Sequence, residues 1–221
     1  MTSGKTLFAW AQEVGIYISP RIGPAALPGK GLGLVAILGP IPKGTTLLRI
    51  PRSLWLCSQR MSTVHTAYHA ERAMAQRLVD IRNDPSHLHH PYATHLSVAP
   101  VERQFNSESD FETEEVRDKW REYQTWPLPP WALYHTLSRA HYARQHLNLI
   151  PVMDLVNHEG NAPNCAYEIR GVPPKYVNMC FYSVRELAVG EECVYPYSSF
   201  DPQSAASRDR WRLYAGFLPR S

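Results

Sequence analysis

The stretch LIPVMDLVNHEGNAPN, Leu149 to Asn164, sets an apolar run directly against a cluster of hydrogen-bonding side chains. Ile150, Val152, Met153, Leu155 and Val156 call for burial, yet Asp154, Asn157 and His158 are interleaved with them or follow at once. A buried amide or imidazole is costly unless its donors and acceptors find partners. A chain carrying this segment therefore has to build around it either a satisfied polar knot in its core or a pocket for a polar ligand.

The surrounding sequence supplies a core large enough for either. At 221 residues the chain suits one domain, or one domain carrying an insertion. Its 44% hydrophobic content, with six Trp and twelve Tyr, argues against disorder and offers large side chains for packing or pocket walls. The formal charge of +3 is not gathered into a basic stripe, so nucleic acid is not an expected partner. Cys57, Cys165, Cys180 and Cys193 are widely spaced, without the CxxC pairs of structural zinc, and fit a reducing compartment. The start MTSGKTLFAWAQEVG lacks a basic n-region and an apolar h-region, and no later run approaches a membrane span. The expectation is a soluble, non-membrane, cytoplasmic or nuclear protein, with a monomer as the simplest state.

Periodicity predicts a short helix over Lys5–Val14, where Leu7, Phe8, Ala11 and Val14 recur at helical spacing before Gly15. A Pro- and Gly-rich loop follows. In GLGLVAILGPIPKGTTLLRIP two apolar runs flank the turn-like GPIPKG and read as a strand pair. Helices are predicted through Ala67–Ile81 and around Val116–Tyr123, with NDPSHLHHPYATHLSVAP between them as loop. Pro129 and Pro130 open a third helix, on which Trp131, Tyr134, Leu137 and His141 share a face. YVNMCFYSVREL and CVYPY read as strands around the turn AVGEE, Pro196 marks a strand end, and RDRWRLYAGFLPRS reads as a short helix or turn ending near Gly216. The fold class is α+β, β-rich, with a helical insertion over residues 60–148.

Taken in order, GKGLGLVA at 29–36, Ser138-Arg139, IPVMDLVNH at 150–158, GEECVYPY at 190–197 and AGF at 215–217 resemble the SET-domain protein methyltransferases, in the branch of Rubisco large-subunit lysine methyltransferase. GLGL alone is weak; DLVNH after an apolar strand, in this order with the others, is the specific part. The similarity extends to FAWAQEVGI and LLRIPRSLWL, so it covers nearly the whole chain. It implies a SET domain over 1–221 with a C-terminal pseudoknot, S-adenosyl-L-methionine as cofactor, no metal, and a protein substrate methylated on a lysine or histidine side chain. Relatives in this branch continue into a helical substrate-binding domain; this chain ends a few residues past the Gly-Phe pair, so no such domain is expected here.

Residue by residue, the resemblance assigns Lys30, Gly31 and Leu32 to the cofactor pocket through backbone groups. Glycines at 29, 31 and 33 fit a close backbone approach, although a plain hairpin loop explains them too. A dinucleotide-binding loop would open a helix and carry an acidic residue about 20 positions on. Here the run leads toward a strand, with Arg52 and Ser53 at that distance. Arg139, a helix arginine that is otherwise a solvated one, is implied to fork onto the cofactor carboxylate. Asn157 and His158 are implied to clamp the cofactor, with a hydrogen-bonded core knot as the alternative, and Phe217 to cover its adenine. Tyr197 is implied to be the catalytic tyrosine. Tyr195, two positions away and expected on the same face, and Asp154 are assigned to substrate, with a structural role for Asp154 equally open.

Departures from the family pattern fall at the C-terminal motif: Tyr197 is followed by Ser198, Ser207 by Arg208, and Ala215 stands before Gly216-Phe217. They motivate a second reading, a catalytically silent SET-like module that binds cofactor or peptide without turnover. HLHHP at 87–91 has no cysteine or carboxylate at ligand spacing and reads as a solvated cluster, and no GxSxG elbow supports hydrolysis.

Overall fold

The computed structural model describes residues 4–28, 30–58, 64–99, 107–143, 145–171, 177–197 and 200–219. In chain order the elements are helix α1 (Gly4–Glu13), strands β1 (Tyr17–Ile18), β2 (Ile22–Leu27), β3 (Gly31–Ala36), β4 (Thr46–Pro51) and β5 (Leu56–Cys57), and helices α2 (Val64–Asn83), α3 (His90–Val98), α4 (Glu114–Gln124) and α5 (Pro130–Arg139). There follow strands β6 (Ala140–Ala143), β7 (His146–Leu149), β8 (Asn157–His158), β9 (Cys165–Arg170), β10 (Asn178–Ser183) and β11 (Val194–Tyr195), and helix α6 (Ala205–Arg210), which runs on as a π-helical turn over Trp211–Ala215. The chain divides into two compact units, Met1–Leu56 with Ile150–Ser198, and Cys57–Leu149 with Ser199–Ser221. Gly29 and Ser198 lie outside the described residues.

The first unit is built on the antiparallel sheet β1-β4-β10-β9. Its register sets Phe181 opposite Leu48 on one side and Tyr167 on the other, and Met179 opposite Ile50. Leu47, Leu48, Ile50, Met179 and Phe181 are all buried with Ile16, Leu34 and Ile41; since the consecutive Leu47 and Leu48 face opposite ways, β4 is covered on both sides at its centre. A separate hairpin pairs β2 with β3, from Ile22 opposite Ala36 to Leu27 opposite Gly31.

Here the structure corrects the sequence reading. The runs on either side of GPIPKG do not pair with each other; β3 pairs with β2, and β4 with β1 and β10. Ile41, in the middle of the supposed turn, is wholly buried and exchanges both backbone hydrogen bonds with Leu187 at 2.9 Å, a long-range bridge that displaces the local hairpin. The Pro-rich segment expected to be a loop is strand β2. Pro24 is tolerated there because β2 has a partner on one side only, leaving no second ladder to demand its missing N–H.

In the second unit, α2 packs on α3 and α5. Phe111, Trp120, Tyr123, Trp126, Leu133, Leu137 and Leu213 form its aromatic-rich core. Two further expectations are overturned. His90–Val98 is a helix rather than a loop: Pro91 sits in its first turn, where a missing N–H costs nothing, and Tyr92, Ala93, His95 and Leu96 are buried. His89 is buried as well, so the histidine cluster is not solvated throughout. His141 does not share the face of α5, because the helix stops at Arg139, Ala140 turns extended, and the β6–β7 hairpin begins there. Among the described residues no helix is long and apolar enough to cross a membrane, and no group of three or more His, Cys, Asp or Glu is placed to hold a metal.

One carboxylate organises the start of α4. Thr113 occupies the N-cap but its side chain caps nothing; instead the fully buried Asp209 accepts from the Glu112 N–H at 2.9 Å, the Thr113 N–H at 2.6 Å and the Thr113 hydroxyl at 2.7 Å. Arg212 donates to it at 3.1 Å. An anion aimed at orphan N–H groups and the positive end of the helix is stabilising, and a buried charge network of this kind is costly to break. Asp209→Ala is expected to lower the unfolding free energy by about 3 kcal/mol, read from denaturant melts, with Asp209→Asn losing less because it retains one acceptor.

Candidate active site

Strands β8 and β11 come from opposite ends of the first unit's second segment and run parallel, Asn157 beside Val194 and His158 beside Tyr195. The approach to β8 is unusual. Val152, wholly buried, adopts φ +72° and ψ −38°, a region that β-branched residues avoid, and opens the 3-10 turn Met153–Leu155. That turn buries Asp154 between Met153 and Leu155 and packs on β3.

Asn164 fixes the other side. Its amide nitrogen donates to the Glu192 carbonyl at 2.7 Å and the Glu191 carboxylate at 2.9 Å, while its oxygen accepts from the Val194 N–H at 2.9 Å. The Asn164 N–H donates to the Val194 carbonyl at 3.3 Å and the Glu159 N–H to the Tyr195 carbonyl at 3.1 Å. The Arg185 guanidinium, helped by Asn164 and the Ala188 N–H, holds the Glu191 carboxyl at about 2, so this clamp stays ionised across the physiological range.

Asn157 is part of a second chain of contacts. Its Nδ2 donates to Glu192 Oε1 at 2.8 Å, and Glu192 Oε2 pairs with Lys30 Nζ at 2.7 Å. Gly33 faces the same amide: a Cβ there would stand 2.9 Å from Asn157 Nδ2 and press still harder on Leu27, which explains the glycine without appeal to turn conformation. Gly31 is the conformational one, at φ +73°. The Lys30 N–H donates to the Leu27 carbonyl at 3.1 Å, and Leu32 lies opposite Ala26 in the hairpin.

On the far side of β8 lies an aromatic group. Tyr195, buried, meets Tyr197 at 5.1 Å between ring centroids, Tyr167 at 5.7 Å and Phe181 at 6.0 Å. Tyr197, beyond Pro196 and outside the strand, is only half-buried; its ring lies 5.3 Å from that of His158. Its N–H donates to His158 Nδ1 at 3.0 Å, and its hydroxyl donates to the Val156 carbonyl at 2.7 Å. Burial, reinforced by Tyr197, Tyr167 and Asp154, pushes the Tyr195 hydroxyl well above the usual phenol range, so it stays protonated. Burial also lowers the His158 pKa, partly offset by Glu159, which suits a ring that must keep Nδ1 unprotonated to accept from Tyr197.

The first unit thus gathers Lys30, Gly31, Leu32, Asp154, Asn157, His158, Tyr195 and Tyr197 around the β8–β11 crossing and the β2–β3 hairpin that packs beside it. Arg139 and Phe217 belong to the second unit. There Arg139 Nε donates to His135 Nδ1 at 3.0 Å, and Phe217 packs edge-on against Trp211 at 5.6 Å. Burial, with Arg139 beside the ring, pushes His135 down to about 3. Sequence reasoning passed over Asn164, Glu191 and Glu192. The acidic pair was visible in AVGEE but read only as turn chemistry, and Asn164 stood in the segment whose polar residues called for partners.

The SET domain family model matches residues 31–198. This chain belongs to the SET domain family, as the ordered motifs suggested. None of the curated proteins matches it. Among solved structures, the SET domain of LSMT bound to lysine and AdoHcy superposes with a TM-score of 0.65 at 20% identity, over 97% of this chain and 57% of that one. That likeness shows a shared fold, and this chain spans little more than half the length of the LSMT structure. A Plasmodium falciparum protein described as a histone methyltransferase aligns at a TM-score of 0.38 and 12% identity, over 82% of this chain and 96% of that one.

The His158–Tyr197 bond requires a neutral ring, and the folded pKa lies below the unfolded one. Its contribution is therefore full above about pH 6.5 and is lost as pH falls below it, where the unfolded chain takes up the proton first. The gap in melting temperature between the wild type and His158→Ala is expected to be widest at pH 8 and to narrow by pH 5.

Proposed function

We propose that this SET-domain protein is an S-adenosylmethionine-dependent methyltransferase whose acceptor is a lysine or histidine side chain of a protein. The observation that carries the reading is the aromatic group of Tyr167, Phe181, Tyr195 and Tyr197, set against His158 and the Asn157 amide at one strand crossing. The LSMT structure, with lysine and AdoHcy bound to the same fold, supports it.

The residues present fit the cofactor. Space is open where a Gly31 Cβ would stand, and its positive φ is one that a side chain would strain, while the Asn157 amide and the His158 imidazole are able to meet polar groups. Lys30, Gly31, Leu32, Asn157 and His158 are the groups assigned to hold it. When bound, the cofactor supplies a methyl group made electrophilic by its sulfonium. The protein's own part is alignment and exclusion of water. The buried ring of Tyr195 would disfavour a charged amine beside it and so favour the neutral nucleophile, with the exposed Tyr167 ring at its edge. The Tyr197 hydroxyl, anchored on the Val156 carbonyl, would keep its oxygen lone pairs available to the transferring methyl group. Asp154, buried near Tyr195, would attract a cationic side chain toward the tyrosines.

Purified protein incubated with labelled S-adenosylmethionine and protein extract is expected to yield methylated lysine or histidine, identified by mass spectrometry. Tyr197→Phe is expected to lower that transfer on the order of 10²-fold while the cofactor Kd from calorimetry stays within about threefold. Absence of cofactor binding by the wild type overturns the proposal. Binding with no transfer to any acceptor assigns the silent-module reading instead.

A further inference from the structure

We infer that Glu192 is a positioning residue: it locks the Asn157 side-chain amide in one orientation, and Lys30 holds Glu192 in place for that purpose. The inference rests on the reading of Asn157 as a cofactor ligand for its functional meaning, though not for its geometry.

An ionised carboxylate only accepts hydrogen bonds. The 2.8 Å contact between Glu192 Oε1 and the Asn157 amide therefore has to be made by the NH2 end, which settles the amide's two-fold ambiguity by chemistry. With one N–H held on Glu192, Asn157 keeps its carbonyl oxygen and its second N–H at fixed places, so a ligand at this position meets an acceptor and a donor whose positions cannot exchange. The rotated amide would set its oxygen against a carboxylate and is excluded by repulsion.

Glu192 is well prepared for the task. Its backbone is fixed twice, by the Asn164 amide at 2.7 Å and by a bridge to Val35 on β3. Its second carboxylate oxygen is occupied by Lys30 Nζ at 2.7 Å. Lys30 reaches it from the turn between β2 and β3, so the hairpin assigned to the cofactor and the strand carrying Asn157 are joined through one carboxylate. Gly33 completes the arrangement, since any side chain there would push the amide off its partner. The Lys30 side chain is about half exposed, so the ion pair itself adds little stability. Its consequence is orientation.

The test has two independent arms. In the first, the ¹⁵N-labelled cofactor-free protein is studied by NMR: the Asn157 side-chain NH2 is expected to show slowed solvent exchange in the wild type and ordinary exchange in Glu192→Ala. This arm needs no cofactor, so it decides the positioning claim even if the methyltransferase reading fails. In the second, calorimetry with S-adenosylmethionine is expected to show a roughly tenfold weaker Kd for Glu192→Ala, the worth of one well-made hydrogen bond, and a smaller loss for Glu192→Gln, whose amide can donate as well and no longer excludes the rotated Asn157. On the Asn157→Ala background, Glu192→Ala is expected to cost nothing further. Melting temperatures of the variants report whether folding is intact. The inference is overturned if Asn157 NH2 exchange is the same in wild type and Glu192→Ala, or if the Glu192→Ala and Asn157→Ala losses in affinity simply add.

Discussion

The parallel crossing of Asn157–His158 with Val194–Tyr195 is the contact on which the site depends. Two residues on each strand make a weak ladder alone. Side chains secure it: Asn164 spends both donor and acceptor on the incoming Glu191–Val194 segment, and the Tyr197 N–H closes on the His158 ring. Without that crossing, residues about forty positions apart would have no reason to share a pocket, and the aromatic rings of β9, β10 and β11 would enclose only each other.

Electrostatics and packing divide the crossing into two faces. Toward the β2–β3 hairpin the side chains are polar and charge-paired, running from Lys30 through Glu192 to Asn157. Toward β9 and β10 they are aromatic, and burial there suppresses ionisation of Tyr195. The methyl transfer proposed above would need different surroundings for a charged donor and an uncharged acceptor, and a strand whose alternate side chains face opposite ways can offer both.

How far this was legible in the sequence follows from how local each feature is. α1, α2, α4 and α5 could be read from periodicity because their apolar faces are local patterns. β10 and the end of β11 at Pro196 were legible for the same reason. The pairing of β3 and β4 was not, since Ile41 is claimed by Leu187 and β4 by β10, partners more than a hundred residues away. α3 was missed because four histidines and three prolines imitate a loop, although the second proline merely occupies a first helical turn. Of the site, the Asn-His pair and the two tyrosines stood out as polar or aromatic residues set in apolar runs. The supporting residues did not: Asn164, Glu191 and Glu192 look like ordinary turn chemistry until the chain returns past them.

Val152 bears on how the site comes into being. A buried valine in a left-handed conformation costs on the order of 1–3 kcal/mol, and nothing in its own neighbourhood of sequence repays that. The bend that leads to Asp154 and Asn157 is thus uphill in an isolated segment and becomes favourable only when β3 packs on it. The geometry around β8 therefore rests on contacts with segments far along the chain rather than on its own sequence.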